Sequence, residues 1–209
     1  MTERIQKFLA NAGHGSRREI ESLIREGKIT VNGKPAVIGQ QIDHKDRVVI
    51  NSKQIRLHPK RESIPKVLAY YKPAGEVCTR KDEKGRDTVF SKLPLLRNGR
   101  WINIGRLDIN TTGLLLFTTD GDLANKLMHP SSQVEREYAV RILGLADKKQ
   151  LRTLREGVEL EDGLAKFTDV QRFGGEASNQ WFHVVLMEGK NREVRRLWES
   201  QGVQVSRLK

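Results

Sequence analysis

The 209 residues predict an α+β chain of two unequal domains. Three observations lead there. Apolar residues at helical spacing mark 3–26; β-branched and alternating apolar runs with helical patterns between them fill the chain from 67 onward; and a polar stretch with two prolines separates the two regions. The chain carries 38 Lys and Arg against 26 Asp and Glu, a net charge of +12 spread along its length. Such a balance points to a polyanionic partner, although a basic solvated surface accounts for it equally well. The single cysteine, Cys78, cannot form an intramolecular disulfide and fits a reducing compartment as a small semi-buried residue. There is no signal-peptide core and no run of about 18–20 apolar residues. The expectation is a soluble, cytoplasmic, monomeric protein with no membrane segment.

Taken in order, Ile5, Phe8, Leu9 and Ala12 mark a first helix and Ile20, Leu23 and Ile24 a second. Gly13-His14-Gly15 breaks them, and Ser16, with Glu19 three residues on, is an N-cap for the second. Residues 28–34 read as a strand entering an Asn32-Gly33 turn, and 47–50 as another strand. Arg4, Lys7, Arg17, Arg18, Arg25 and Lys28 gather on the helices. Arg17 and Arg18 open the second helix, where outward-facing N–H groups favour phosphate. Residues 51–65 read as a linker, which places a first domain over 1–60 and a second over 61–209.

In the second domain strands are expected at 67–71, 101–104, 114–118, 138–142 and 181–186, and helices at 122–128, 147–156 and 192–201. Phe117, Trp181, Phe182 and Trp198 fall in apolar patterns and are expected in the core. Between two strands lies Gly105-Arg106-Leu107-Asp108-Ile109-Asn110-Thr111-Thr112-Gly113. A polar loop framed by glycines and backed by strands can hold one carboxylate rigid and open, although an Asp in such a place is commonly a plain turn former. Tyr138, from its pattern alone, is a half-buried strand residue. Lys190, Arg192, Arg195 and Arg196 form a basic run at the start of the last helix. The five histidines show no ligand spacing, so no metal is expected.

The segment IQKFLANAGHGSRREIESLIREGKITVNGK resembles the S4 RNA-binding module over residues 3–50. Three further stretches resemble the RsuA/RluB/RluE/RluF family of ribosomal RNA pseudouridine synthases: YYKPAGEVCTRKDEKGRDTVF, GRLDINTTGLLLFTTDGDLANKLMHP with EREYAVRI, and GGEASNQWFHVVLMEGKNREVRRLWESQGVQVSRL. The resemblance implies a small S4-like domain followed by a synthase domain with a mixed, mainly antiparallel sheet flanked by helices. It implies isomerisation of a uridine in ribosomal RNA, most closely the 23S RNA of the large subunit, free or within a precursor particle. Asp108 would be the catalytic carboxylate, Tyr138 the ring that packs on the flipped uracil, and Arg195 the cation paired with Asp108. Lys72, Arg80, Arg106, Lys190 and Arg192, with the six cations of the first domain, would touch the RNA. The reaction needs no redox change or energy input, so one carboxylate suffices and no cofactor is expected. The family pattern continues past Lys209 into another strand, so a second domain cut short at its C-terminus is expected. The alternative is a non-catalytic S4-type RNA-binding or ribosome-assembly factor.

Overall fold

A computed structural model describes residues 2–57, 64–96, 99–176 and 178–209. The chain forms two compact units, one of Met1–Val67, Pro94–Ile102 and Thr118–Gly121, the other of Leu68–Leu93, Asn103–Phe117 and Asp122–Lys209. No composition shift announces that 94–102 and 118–121 join the first unit.

The chain opens with β1 (Glu3–Arg4), α1 (Ile5–Asn11), α2 (Arg17–Arg25), β2 (Ile29–Val31), β3 (Lys34–Pro35), β4 (Gln41–Ile42), β5 (Val48–Ile50) and β6 (Lys53–Ile55). Ser16 Oγ accepts from the Glu19 N–H at 3.1 Å while the Glu19 carboxylate accepts from the Ser16 N–H, which starts α2 where the sequence places it. Asn32 and Gly33 take φ of 52° and 81°, the two left-handed positions that a two-residue hairpin needs, and join β2 to β3. The sheet runs β3-β2-β5-β6. Ile5, Leu9, Ile20, Ile24, Ile29, Ile42 and Val48 form its core with the two helices. The expected linker is corrected at its start: Asn51 and Ser52 make a turn, and Lys53–Ile55 pairs with β5 as an added strand. Backbone pairing with β5 offsets the low hydrophobicity of these residues. Positions 58–63 of that linker lie outside the described residues.

Further along come β7 (Val67–Lys72), β8 (Ile102–Ile104), β9 (Gly113–Thr118), α3 (Gly121–Met128), β10 (Arg136–Leu143), α4 (Lys148–Glu156), β11 (Val158–Leu160), β12 (Gly163–Ala165), β13 (Asp169–Gly174), β14 (Asn179–Leu186), α5 (Glu193–Glu199) and β15 (Gln204–Leu208). One sheet runs β7-β9-β8, and another, antiparallel at every paired strand, runs β13-β14-β10-β15. Asp147 caps α4 with Gln150 as its reciprocal partner. α4 packs against β13 and α5 against β15, closing a core of Val140, Ile142, Leu154, Phe167, Phe182, Leu197 and Trp198. Phe117, Phe182 and Trp198 are buried as expected, but Trp181 is not. It lies on the opposite side of β14 from Phe182 and stays half-exposed, because successive strand residues alternate between faces. No helix among the described residues is long and apolar enough to cross a membrane.

Candidate active site

Asp108 sits half-buried in the loop from β8 to β9, and its carboxylate has no hydrogen-bond or ion-pair partner among the described residues. The backbone around it is held on both sides. Cys78 Sγ donates to the Leu107 carbonyl at 3.3 Å and accepts the Leu107 N–H at 3.5 Å. The Gly75 N–H reaches the Ile109 carbonyl at 2.8 Å, Thr111 N–H returns to the Asp108 carbonyl at 2.9 Å, and Thr112 N–H bonds the Leu208 carbonyl at 3.1 Å. The buried ammonium of Lys72 donates to the carbonyls of Pro73 (2.9 Å), Ile109 (3.3 Å) and Thr111 (2.9 Å). The loop is therefore rigid while its one carboxylate stays open.

Lys72 corrects an expectation. Expected at the RNA surface, it is instead fully buried, and all three of its donors are used inside the protein. The signal was present in β7, where Leu68, Tyr70 and Lys72 share the inward face.

Three groups from three other elements respond to the charge of Asp108. Burial pushes the Lys72 ammonium below its ordinary value, and Cys78, Glu76 and Asp108 pull it back up. Burial pushes the Tyr138 phenol up, Glu193 and Asp108 add to that, and Arg136 opposes it, so the ring is held protonated and neutral. Burial and Arg192 push the Arg195 guanidinium down, whereas Asp108 and Glu199 support its charge. The expected pairing of Arg195 with Asp108 is present only as this longer-range attraction. Nη1 of Arg195 instead donates to the Val205 carbonyl of β15 at 3.1 Å, leaving its buried Nε without a partner. The β15 carbonyl is the closer acceptor, and it fixes the guanidinium beside the site.

Glu193, which sequence reasoning passed over, is buried at the start of α5 and adds to the field at Tyr138. One carboxylate oxygen accepts the Lys190 N–H at 2.8 Å, and the other is buried with no partner. Burial, with Glu188 beside it, pushes its pKa up to about 7, against the hydrogen bond from Lys190. A free glutamate titrates near 4.5, so between 4.5 and about 7 the folded chain binds the extra proton. Stability is therefore lost as pH rises through that window. Glu193→Gln is expected to remove this loss and to be more stable than the parent at pH 8, by roughly 2 kcal/mol, with little difference at pH 5. Thermal melts of both proteins at the two pH values check this, and equal responses to pH would refute it.

The other cations divide into free and engaged. Arg106 is exposed beside Asp108. Arg80 is exposed with its guanidinium 4.2 Å over the Phe90 ring. Lys190 Nζ is taken by the Leu164 carbonyl at 2.7 Å and lies 3.4 Å from Glu188. Arg192, exposed and left-handed at φ 49°, lies 3.5 Å from Glu199. Arg196 is bidentate on Asp162. In the first unit Arg4, Lys7 and Arg17 line one groove with Glu3, Gln6 and Glu21. Arg18, Arg25 and Lys28 are exposed, with Lys28 bonded to Glu26. Among the described residues no cluster of three or more His, Cys, Asp or Glu could hold a metal ion.

Residues 66–200 match the family described as RNA pseudouridylate synthase, and 3–48 match the S4 domain. The chain is 60% identical over 210 residues to ribosomal large subunit pseudouridine synthase B of Vibrio cholerae serotype O1, covering 100% of this chain and 65% of that protein. It is 59% identical to the protein of that name from Salmonella typhi, over 100% and 72%. To the one from Pseudomonas aeruginosa it is also 59% identical, over 99% and 54%. The chain thus spans 54–72% of the length of these three relatives. A solved pseudouridylate synthase shares the fold over 98% of this chain and 86% of its own, with a TM-score of 0.64 at 24% identity.

Proposed function

Since this chain belongs to the family of RNA pseudouridylate synthases, we propose that it converts a uridine of large-subunit ribosomal RNA to pseudouridine, with Asp108 as the catalytic carboxylate. The observation that carries this reading is one open carboxylate on a rigid loop, its charge felt by Tyr138, Arg195 and Lys72 from three separate elements. In the reaction the N1–C1′ bond breaks, the uracil turns, C5 bonds to C1′, and the C5 proton leaves while N1 gains one. Electrons and atoms balance without an external reagent. Asp108 acts as nucleophile or as base on the nucleoside. Arg195 supplies positive charge near the reacting carboxylate, and the neutral Tyr138 ring packs on the extruded uracil, offsetting part of the few kcal/mol lost on unstacking. Arg106, Arg80 and Arg192 hold nearby phosphates. The enzyme works in the cytoplasm as a monomer, on the RNA or a precursor particle.

The test is release of tritium from large-subunit rRNA transcripts labelled at uridine C5, because pseudouridine formation requires that proton to leave. Release by the parent supports the reading. Silence on both large- and small-subunit rRNA, from this chain and from a form extended past Lys209, would sink it.

The S4 unit supplies sequence-independent affinity through Arg4, Lys7, Arg17, Arg18, Arg25 and Lys28. Arg4, Arg17, Arg18 and Arg25 have no acidic partner among the described residues, which leaves their charge for phosphate. Replacing Arg17 and Arg18 together by Gln is expected to lower the salt-dependence slope of log affinity by about two, with the slope read from binding titrations at several salt concentrations. An unchanged slope would mean that this helix does not dock on RNA.

A further inference from the structure

Tyr138 shares the inner face of β10 with Val140 and Ile142, so the residues between them face the other way. That outer face carries Glu137, Ala139 and Arg141 on β10, opposite Val185, His183 and Trp181 on β14. Phe173, at the irregularity in register between Arg172 and Gly174 of β13, joins them and is 52% exposed. Its ring meets His183 edge-on at 4.0 Å and lies 5.9 Å from the half-exposed Trp181. The Arg141 guanidinium stands 5.8 Å over the Trp181 ring, and Arg207 faces Arg141 across the β10–β15 pair.

The guanidiniums and carboxylates of this face are not paired with one another. Arg141 and Arg207 have no ion pair among the described residues, and Arg172, opposite Phe182, belongs to the other side of the sheet. Of the two acids on this face, Glu137 is held by His183, and Asp169 accepts from Gln171 and from its neighbour's N–H. The sheet's helices pack on its other side, so the folding of this unit gives no reason for a row of rings in water with guanidiniums beside them. Unpaired nucleotides supply both complements, base faces for the rings and phosphates for the guanidiniums. A duplex hides its base faces and does not.

We propose that this face of the four-stranded sheet, formed by Phe173, Trp181, His183 and Arg141, is a stacking platform for unpaired bases of the RNA substrate. It rests on RNA being the substrate, as proposed above, and lies on the opposite side of the sheet from Tyr138.

Tryptophan emission reads it. Of the three tryptophans, Trp101 and Trp198 are buried, so quenching on RNA binding reports Trp181. The 209-residue protein is titrated with oligouridine, with duplex RNA of the same length, and with a large-subunit rRNA transcript. The expected result is quenching by the oligouridine and the transcript that vanishes in Trp181→Phe. Affinity should fall about tenfold in Phe173→Leu, which keeps an apolar side chain but loses the stacking ring. Arg141→Gln should flatten the salt slope by about one, whereas Lys149→Gln, an exposed cation on α4, should not. Absent quenching with unchanged affinity in Phe173→Leu overturns the platform, as does equal quenching by duplex. Loss of the quench in a form extended past Lys209 overturns it in favour of an intramolecular cover. If quenching is seen but neither this chain nor a form extended past Lys209 releases tritium from large- or small-subunit rRNA, the isomerase reading falls and the platform stands as an RNA-binding surface; release without quenching has the opposite meaning.

Discussion

Asp108→Asn is expected to lower the rate of pseudouridine formation by about 10³-fold or more while leaving RNA affinity within a few-fold. The amide has nearly the shape of the carboxylate but can neither attack carbon nor take a proton, so the loss falls on the chemical step. Because the Asp108 side chain makes no hydrogen bond among the described residues, its replacement breaks no structural contact, and the melting temperature should hardly move. Single-turnover tritium release at saturating RNA, beside a binding titration, separates the two effects. A rate within tenfold of the parent would remove Asp108 from the chemistry. Strongly weakened binding with normal turnover of the bound RNA would make it a binding residue.

Lys72→Met is expected to destabilise the second unit and to inactivate it. Methionine fits the volume of the lysine stem but cannot donate, so the carbonyls of Pro73, Ile109 and Thr111 lose the ammonium that bonds them. Each buried acceptor left unsatisfied costs about 1–3 kcal/mol. Removal of a buried charge offsets part of that, so a net loss of roughly 2–4 kcal/mol follows. The melting temperature should fall by roughly 5–15 °C. Hydrogen exchange at the amides of 107–112 should quicken most, since those residues lose their anchor, and turnover should fall with it. If Lys72 touched phosphate instead, the variant would melt normally and its salt slope would drop by about one. That pattern would refute the structural role.

Much of this molecule was legible in local sequence. Ser16 with Glu19 announced the start of α2, Asn32-Gly33 the first hairpin, and the apolar runs of β9, β10 and β14 the strands, because capping, turn geometry and alternation depend on neighbours a few residues apart. The glycine-framed loop and its Asp108 stood out for the same reason, and the resemblance to known synthases supplied the roles that composition could not. Short strands such as β1, β4 and β6 were not legible, since backbone pairing with distant partners holds residues with no strand pattern of their own. Nor were the positions that depend on what lies opposite. Lys72 reads as a surface cation until the loop 105–112 places two carbonyls on its ammonium. Arg195 reads as the partner of Asp108 until β15 offers a closer acceptor. Trp181 reads as core until the register of β14 turns it outward beside Phe173 and Arg141. The sequence by itself determined the elements, the family and the candidate carboxylate, because those rest on short-range patterns. Tertiary structure alone decided which charges are spent inside the protein and which remain at its surface, because a buried donor takes whichever acceptor the fold brings within reach.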